Sequence, residues 1–115
     1  MRMRSPRVFI RTFAAGVLTA AASIAGHAAI AAPVVASVTI QNFDFHPMAL
    51  TVPIGATVKW KNLDGEPHTV TSADGSFRSG ALDQDDTYDH TFTKPGVYTY
   101  LCSIHPRMVA TITVK

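Results

Sequence analysis

Gly96-Val97-Tyr98-Thr99-Tyr100-Leu101-Cys102-Ser103-Ile104-His105-Pro106-Arg107-Met108-Val109-Ala110-Thr111-Ile112-Thr113-Val114 reads as a strand, a short loop and a second strand. Both flanks are rich in β-branched and aromatic residues at strand spacing. A helix through the middle fails, because Pro106 interrupts it and Val, Thr and Ile follow. The loop between the strands carries a thiol, an imidazole and a thioether within seven residues, Cys102 to Met108.

The same spacing recurs upstream at Val38 to Ile40, Leu50 to Val52, Thr57 to Lys61, Thr69 to Thr71 and Tyr88 to Thr93. Turn residues separate these runs at Pro53-Ile54-Gly55, Asp64-Gly65, Asp74-Gly75, Ser79-Gly80 and Lys94-Pro95-Gly96. No segment reads as a helix. About seven or eight short strands closed by such turns predict an all-β domain, an antiparallel Greek-key β-sandwich of two sheets. Alternation assigns the faces: Val58 and Trp60 point inward against Lys59 and Lys61, and Ile112 and Val114 oppose Thr111, Thr113 and Lys115. Phe43, Phe45, Phe77, Phe92 and Tyr98 are expected in the core or at its rim. Residues 73–86 hold four aspartates and little apolar content, which predicts a solvated loop.

The start of the chain has a different character. Arg2, Arg4, Arg7 and Arg11 precede an uncharged apolar stretch from Thr12 to about Ala25, the pattern of a cleavable signal peptide. Cleavage fits best after Ala29-Ile30-Ala31, giving a leader of residues 1–31 and a domain of residues 32–115; Gly26-His27-Ala28 is the second candidate, and an uncleaved anchor the alternative. The leader holds four of the ten Lys and Arg residues and none of the eight Asp and Glu, so removing it leaves six against eight and moves the formal charge from +2 to −2. The basic character of the whole chain is then the leader's. No nucleic-acid binding is expected from it, nor membrane binding after cleavage.

Export makes the one cysteine informative. A single thiol cannot close an intramolecular disulfide, and in an oxidising compartment a free thiolate is vulnerable unless it is buried or bound. Pro67-His68 supplies a second imidazole, completing a set of His68, Cys102, His105 and Met108. Thiolate plus two imidazoles suits copper in both oxidation states, and a thioether is a poor donor for zinc, calcium or magnesium. The set matches a mononuclear electron-transfer copper site, with trigonal His₂Cys donors and a weak axial Met. His46 and His90 are read as structural or surface residues, His90 on a partly buried strand face.

On these residues the chain resembles the small blue-copper proteins, or cupredoxins, and in particular their amicyanin-like and plastocyanin-like members. The resemblance rests on Pro67-His68, on the strand Gly96 to Leu101 leading into Cys102, and on the compact loop Cys102-x-x-His105-Pro-x-Met108. Phe43-Asp-Phe45-x-Pro47 and Val52-Pro53-x-Gly55-x-Thr57-Val58-x-Trp60 are similar to the family's opening strands. The short gap between His105 and Met108 is the amicyanin-like feature. The resemblance implies a type 1 copper ion with His68, Cys102 and His105 as equatorial ligands and Met108 axial. Many members carry Asn directly after the first His, where this chain has Thr69; the surroundings of the ligands are expected to differ there, with the reduction potential the property at stake.

The function expected is that of a periplasmic one-electron carrier, a monomer and not an enzyme, cycling copper between Cu(II) and Cu(I). Its expected partners are redox proteins, a c-type cytochrome or a periplasmic dehydrogenase, docking transiently near His105 on a patch of Pro47, Pro67, Ile104 and Pro106. The alternative is a periplasmic module that buffers or delivers copper, against which stands the lack of a Met-rich or His-rich tract. A multicopper oxidase needs a second copper cluster and more chain, and c-type haem attachment needs C-x-x-C-H. A thiol hydrolase would need an oxyanion-hole or base-orienting pattern, and none is present.

Overall fold

The computed structural model describes residue 9, residues 12–27 and residues 32–115. Residues 12–27 are exposed and carry neither helix nor strand, and the expected cleavage point after Ala31 lies outside the described residues. From Val35 the alternating runs become eight strands: β1 (Val35–Gln41), β2 (Asp44–His46), β3 (Ala49–Val52), β4 (Thr57–Asn62), β5 (Thr71–Ser72), β6 (Thr87–Thr91), β7 (Gly96–Leu101) and β8 (Val109–Val114). Among the described residues there is no helix.

The strands form two four-stranded sheets, in the orders β2-β1-β4-β6 and β3-β8-β7-β5. The sandwich is as the sequence predicts, but the sheets are mixed rather than wholly antiparallel. β1 pairs with β4, and β3 with β8, in parallel. Between β1 and β4 the chain passes through β2 and then β3 in the other sheet, so β4 re-enters beside β1 running the same way. Alternation specifies which face a side chain takes and is silent on the direction of the neighbouring strand.

The face assignments hold. Val58, Trp60 and Ile112 are fully buried and Val114 nearly so, while Lys59 and Lys61 are exposed. Each such apolar side chain contributes roughly 1.5–3 kcal/mol over an exposed one. Trp60 sits at the centre, edge-on to Tyr100 at 5.5 Å and stacked near Phe77 at 5.9 Å. Trp60 Nε1 and the Tyr100 hydroxyl are buried without a hydrogen-bond partner among the described residues. Burial pushes the Tyr100 phenol up to about 12, so it stays neutral. The loop of residues 73–86 is less solvated than its aspartates suggest, because Phe77 and Leu82 are buried in the core and pin it down.

The β7–β8 hairpin turns through Cys102 to Met108, and the same end of the sandwich receives the β1–β2 turn at Asn42-Phe43 and the loop that follows β4. Three segments distant in sequence therefore converge at one pole.

Candidate metal centre

Cys102 lies directly after β7 and is fully buried. The loop that follows is closed by its own backbone: Met108 N–H donates to the His105 carbonyl at 2.9 Å, and Cys102 N–H to the Met108 carbonyl at 3.1 Å. These bonds fold His105 back toward the cysteine and bury Met108 in the same core cluster as Cys102. His105 itself is half-buried, between the exposed Ile104 and Pro106.

His68 arrives from the opposite side. It sits ahead of β5 rather than heading a longer strand, held by an isolated two-bond bridge to Leu82: His68 N–H donates to the Leu82 carbonyl at 3.1 Å, and Leu82 N–H to the His68 carbonyl at 2.7 Å. Asn62 organises the turn that leads to it. Fully buried, Asn62 donates through Nδ2 to the carbonyls of Glu66 (2.8 Å) and Leu82 (2.9 Å) and accepts from Asp64 N–H at 3.0 Å.

The donor atoms meet. Cys102 Sγ lies 3.7 Å from Nδ1 of His68 and 3.7 Å from Nδ1 of His105. One ligand atom from each of the three residues falls within 4.8 Å of the others. Bonds of about 2.1 Å to imidazole and 2.3 Å to thiolate, set about 110–120° apart, separate nitrogen from sulfur by about 3.6–3.8 Å. The three side chains are thus spaced to share one metal ion.

Two further contacts prepare them. His68 Nε2 lies 2.8 Å from Asp64 Oδ2. A carboxylate only accepts, so Nε2 carries the hydrogen, and Nδ1 is the ring nitrogen that faces the thiol. Partial burial raises the Asp64 carboxyl, but hydrogen bonds from the amides of Phe43 and Asn42 and from His68 outweigh it, and the group is held below the usual carboxylate range. The Thr69 amide donates to Cys102 Sγ at 3.3 Å, and Thr69 Oγ1 accepts from Ser103 N–H at 2.7 Å. Thr69 thus ties the His68 segment to the Cys102 loop.

All four residues singled out in the sequence lie at this pole, and the two other histidines in the domain do not join the three donors. His46 is exposed on β2 with Nε2 near the Gln41 carbonyl; His90 is half-buried between Phe77 and Phe92. Asp64 and Phe43 were not legible as site residues. Asp64 reads as a turn residue, and Phe43 reads as a core or rim aromatic, whereas the residue is 49% exposed with its ring edge-on to both His68 and His105.

The sequence matches the family model of the cupredoxin-like domain over residues 12–114. The chain belongs to the cupredoxin-like family. It is 32% identical over 111 residues to amicyanin of Paracoccus denitrificans, an alignment covering 89% of this chain and 85% of the relative. Among solved structures it is similar to a purple cupredoxin from Nitrosopumilus maritimus, with a TM-score of 0.65 and 34% identity over 70% of this chain and 99% of that one. It is also similar to part of a copper-containing nitrite reductase from Thermus scotoductus SA-01, with a TM-score of 0.66 and 32% identity, covering 81% of this chain but only 24% of the enzyme. This cupredoxin's cofactor is accordingly one type 1 copper ion, and its chemistry is copper-based electron transfer.

Proposed function

We propose that the protein is a periplasmic one-electron carrier in which His68, Cys102 and His105 hold the copper ion equatorially and Met108 holds it axially. The observation that carries this reading is the set of two imidazole nitrogens, each 3.7 Å from one buried thiol, on a rigid β-scaffold. Copper, when bound, supplies the one-electron couple between Cu(II) and Cu(I). The residues around it do the rest. Cys102, His68 and Met108 are buried and keep water from the donors. Hydrogen bonds of the scaffold hold the three loop residues and His68 in place, so that little has to move when an electron passes.

His105 is the donor nearest solvent, and Ile104 beside it is 45% exposed. A small apolar patch of this kind suits brief docking with redox proteins such as a c-type cytochrome or a periplasmic dehydrogenase. The arginine-flanked apolar leader of residues 1–31 supports export, with the signal peptide removed before the domain works. The enzyme in the comparisons matches this chain over only a quarter of its length, which favours a carrier over a catalyst.

Addition of Cu(II) to residues 32–115 tests the reading. An intense thiolate-to-copper visible band with small copper hyperfine splitting is expected, together with retention of copper through repeated reduction and oxidation. A pale, ordinary Cu(II) spectrum would overturn the site. Ready loss of Cu(I) to a chelator would favour a copper-delivery module instead.

A further inference from the structure

Phe43 occupies a position that packing alone does not explain. It is a large aromatic with nearly half its surface exposed, and both it and Asn42 have left-handed backbones, with φ of 57° and 54°. A left-handed phenylalanine is uncommon and needs its surroundings to hold it. Here the holder is Asp64: Oδ1 accepts from Asn42 N–H at 2.8 Å and Oδ2 from Phe43 N–H at 2.9 Å. The same Oδ2 takes the hydrogen of His68 Nε2.

The result of that backbone is the placement of the ring. Its plane is at 90° to the His68 imidazole with centroids 5.2 Å apart, and at 88° to the His105 imidazole at 5.0 Å. Near-perpendicular rings at this spacing are an attractive arrangement for aromatic groups. The two histidines differ in what else restrains them. His68 is buried and hydrogen-bonded at its outer nitrogen. His105 is half-buried and, among the described residues, has no side-chain hydrogen-bond partner at its outer nitrogen.

We propose that Phe43 is a positioning residue for the metal centre, an aromatic wedge anchored by Asp64 that keeps the His105 ring turned with Nδ1 toward Cys102. The proposal rests on the copper reading for its consequence but not for its geometry, which is made of the chain's own ring contacts and hydrogen bonds. With His105 restrained at its outer side by ring contact in place of a hydrogen bond, removing the wedge should free that imidazole and leave His68 in place.

The test is nitrogen-15 relaxation of the histidine side chains in the metal-free domain, followed by copper loading. In Phe43→Ala the His105 ring should become mobile on the nanosecond scale while His68 stays ordered, and copper affinity should fall by about tenfold. Phe43→Tyr should restore both. Asp64→Asn, which removes one acceptor from the clamp, should loosen both imidazoles and shift the reduction potential. Unchanged His105 order in Phe43→Ala would overturn the proposal, as would full order in Phe43→Leu, which keeps bulk without an aromatic edge. Simultaneous loss of order at core residues such as Trp60 would also overturn it, by showing Phe43 to be merely structural. Should the wild-type chain give no thiolate-to-copper band while His105 order still follows Phe43, the copper reading falls and the wedge stands.

Discussion

The side-chain oxygen of Thr69 accepts the amide hydrogen of Ser103 at 2.7 Å, joining two segments 34 residues apart. The same oxygen lies 2.9 Å from Ser103 Oγ and 3.0 Å from Thr71 Oγ1. Thr69, directly after His68, thus spans to the residue after the cysteine, with hydroxyl partners on both sides.

Thr69→Val keeps the branched shape and removes the acceptor, leaving the Ser103 amide to find another partner. The expected cost is about 1–2 kcal/mol. Urea unfolding measures it, and hydrogen exchange at Ser103 should accelerate in parallel. An unchanged midpoint with unchanged Ser103 protection would show that the bond does not hold the loop.

Asn62 offers a second test of how the site is built. Its side chain satisfies two carbonyls and one amide from a fully buried position. Asn62→Leu would leave the Glu66 carbonyl and the Asp64 amide without this partner, leave the Leu82 carbonyl with the His68 amide alone, and release the turn that carries Asp64. A loss on the order of 1–3 kcal/mol is expected for each group left unpaired. Copper affinity should fall as well, because the turn presents His68; a variant that lost stability with undiminished affinity would separate the two roles.

How much of this was legible depends on distance along the chain. Cys102, His105 and Met108 fall within one loop, so their residue types and spacing suffice. His68 was found because Pro67-His68 completes a donor set. Asp64 and Phe43 were missed because their roles depend on contacts 21 and 22 residues away, between Asp64 and a left-handed turn that no hydrophobic period encodes. β2 is only three residues long, too short for alternation to stand out between turns. The parallel pairings of β1 with β4 and β3 with β8 were invisible for a related reason, since they follow from the path of the chain between sheets. The buried Leu82, set among aspartates, is where local composition misleads: with Phe77 it anchors an otherwise polar segment.

The half-buried His90 should make stability depend on pH. It stacks on Phe77 at 4.9 Å, and burial lowers its imidazole below the ordinary 6.5. The unfolded chain therefore takes up a proton near pH 6.5, and the folded chain only at lower pH. The contribution to stability is fully present above pH 6.5 and is lost as pH falls through the lowered folded value. His90→Gln should flatten the unfolding free energy between pH 7 and 5 relative to the wild type. Parallel profiles for the two chains would rule the residue out.

Ile104 is exposed beside His105, where a partner would approach. Ile104→Lys leaves all four proposed ligands and their hydrogen bonds untouched, so the copper spectrum should not change. Electron exchange with a c-type cytochrome should slow, because a charge at the centre of a small apolar contact has to be desolvated. Stopped-flow kinetics at several salt concentrations would measure it, and unchanged rates would place the docking surface elsewhere.

Copper should also stabilise the fold. A ligand bound only by the native state raises the unfolding free energy by about 4 kcal/mol when free ligand is a thousand times the dissociation constant. Here the donors come from two segments, one before β5 and one after β7, and unfolding separates them. The gain should therefore belong to the folded chain alone. Cys102→Ser replaces the soft, buried donor with a poor one and should abolish most of the copper-dependent rise in the unfolding midpoint. Its effect on the metal-free chain should be small by comparison, since Cys102 Sγ accepts one long amide bond, 3.3 Å from Thr69 N. Calorimetry of both chains with and without copper gives the four midpoints needed. Equal copper-dependent shifts in the two chains would mean that the metal binds somewhere other than at Cys102.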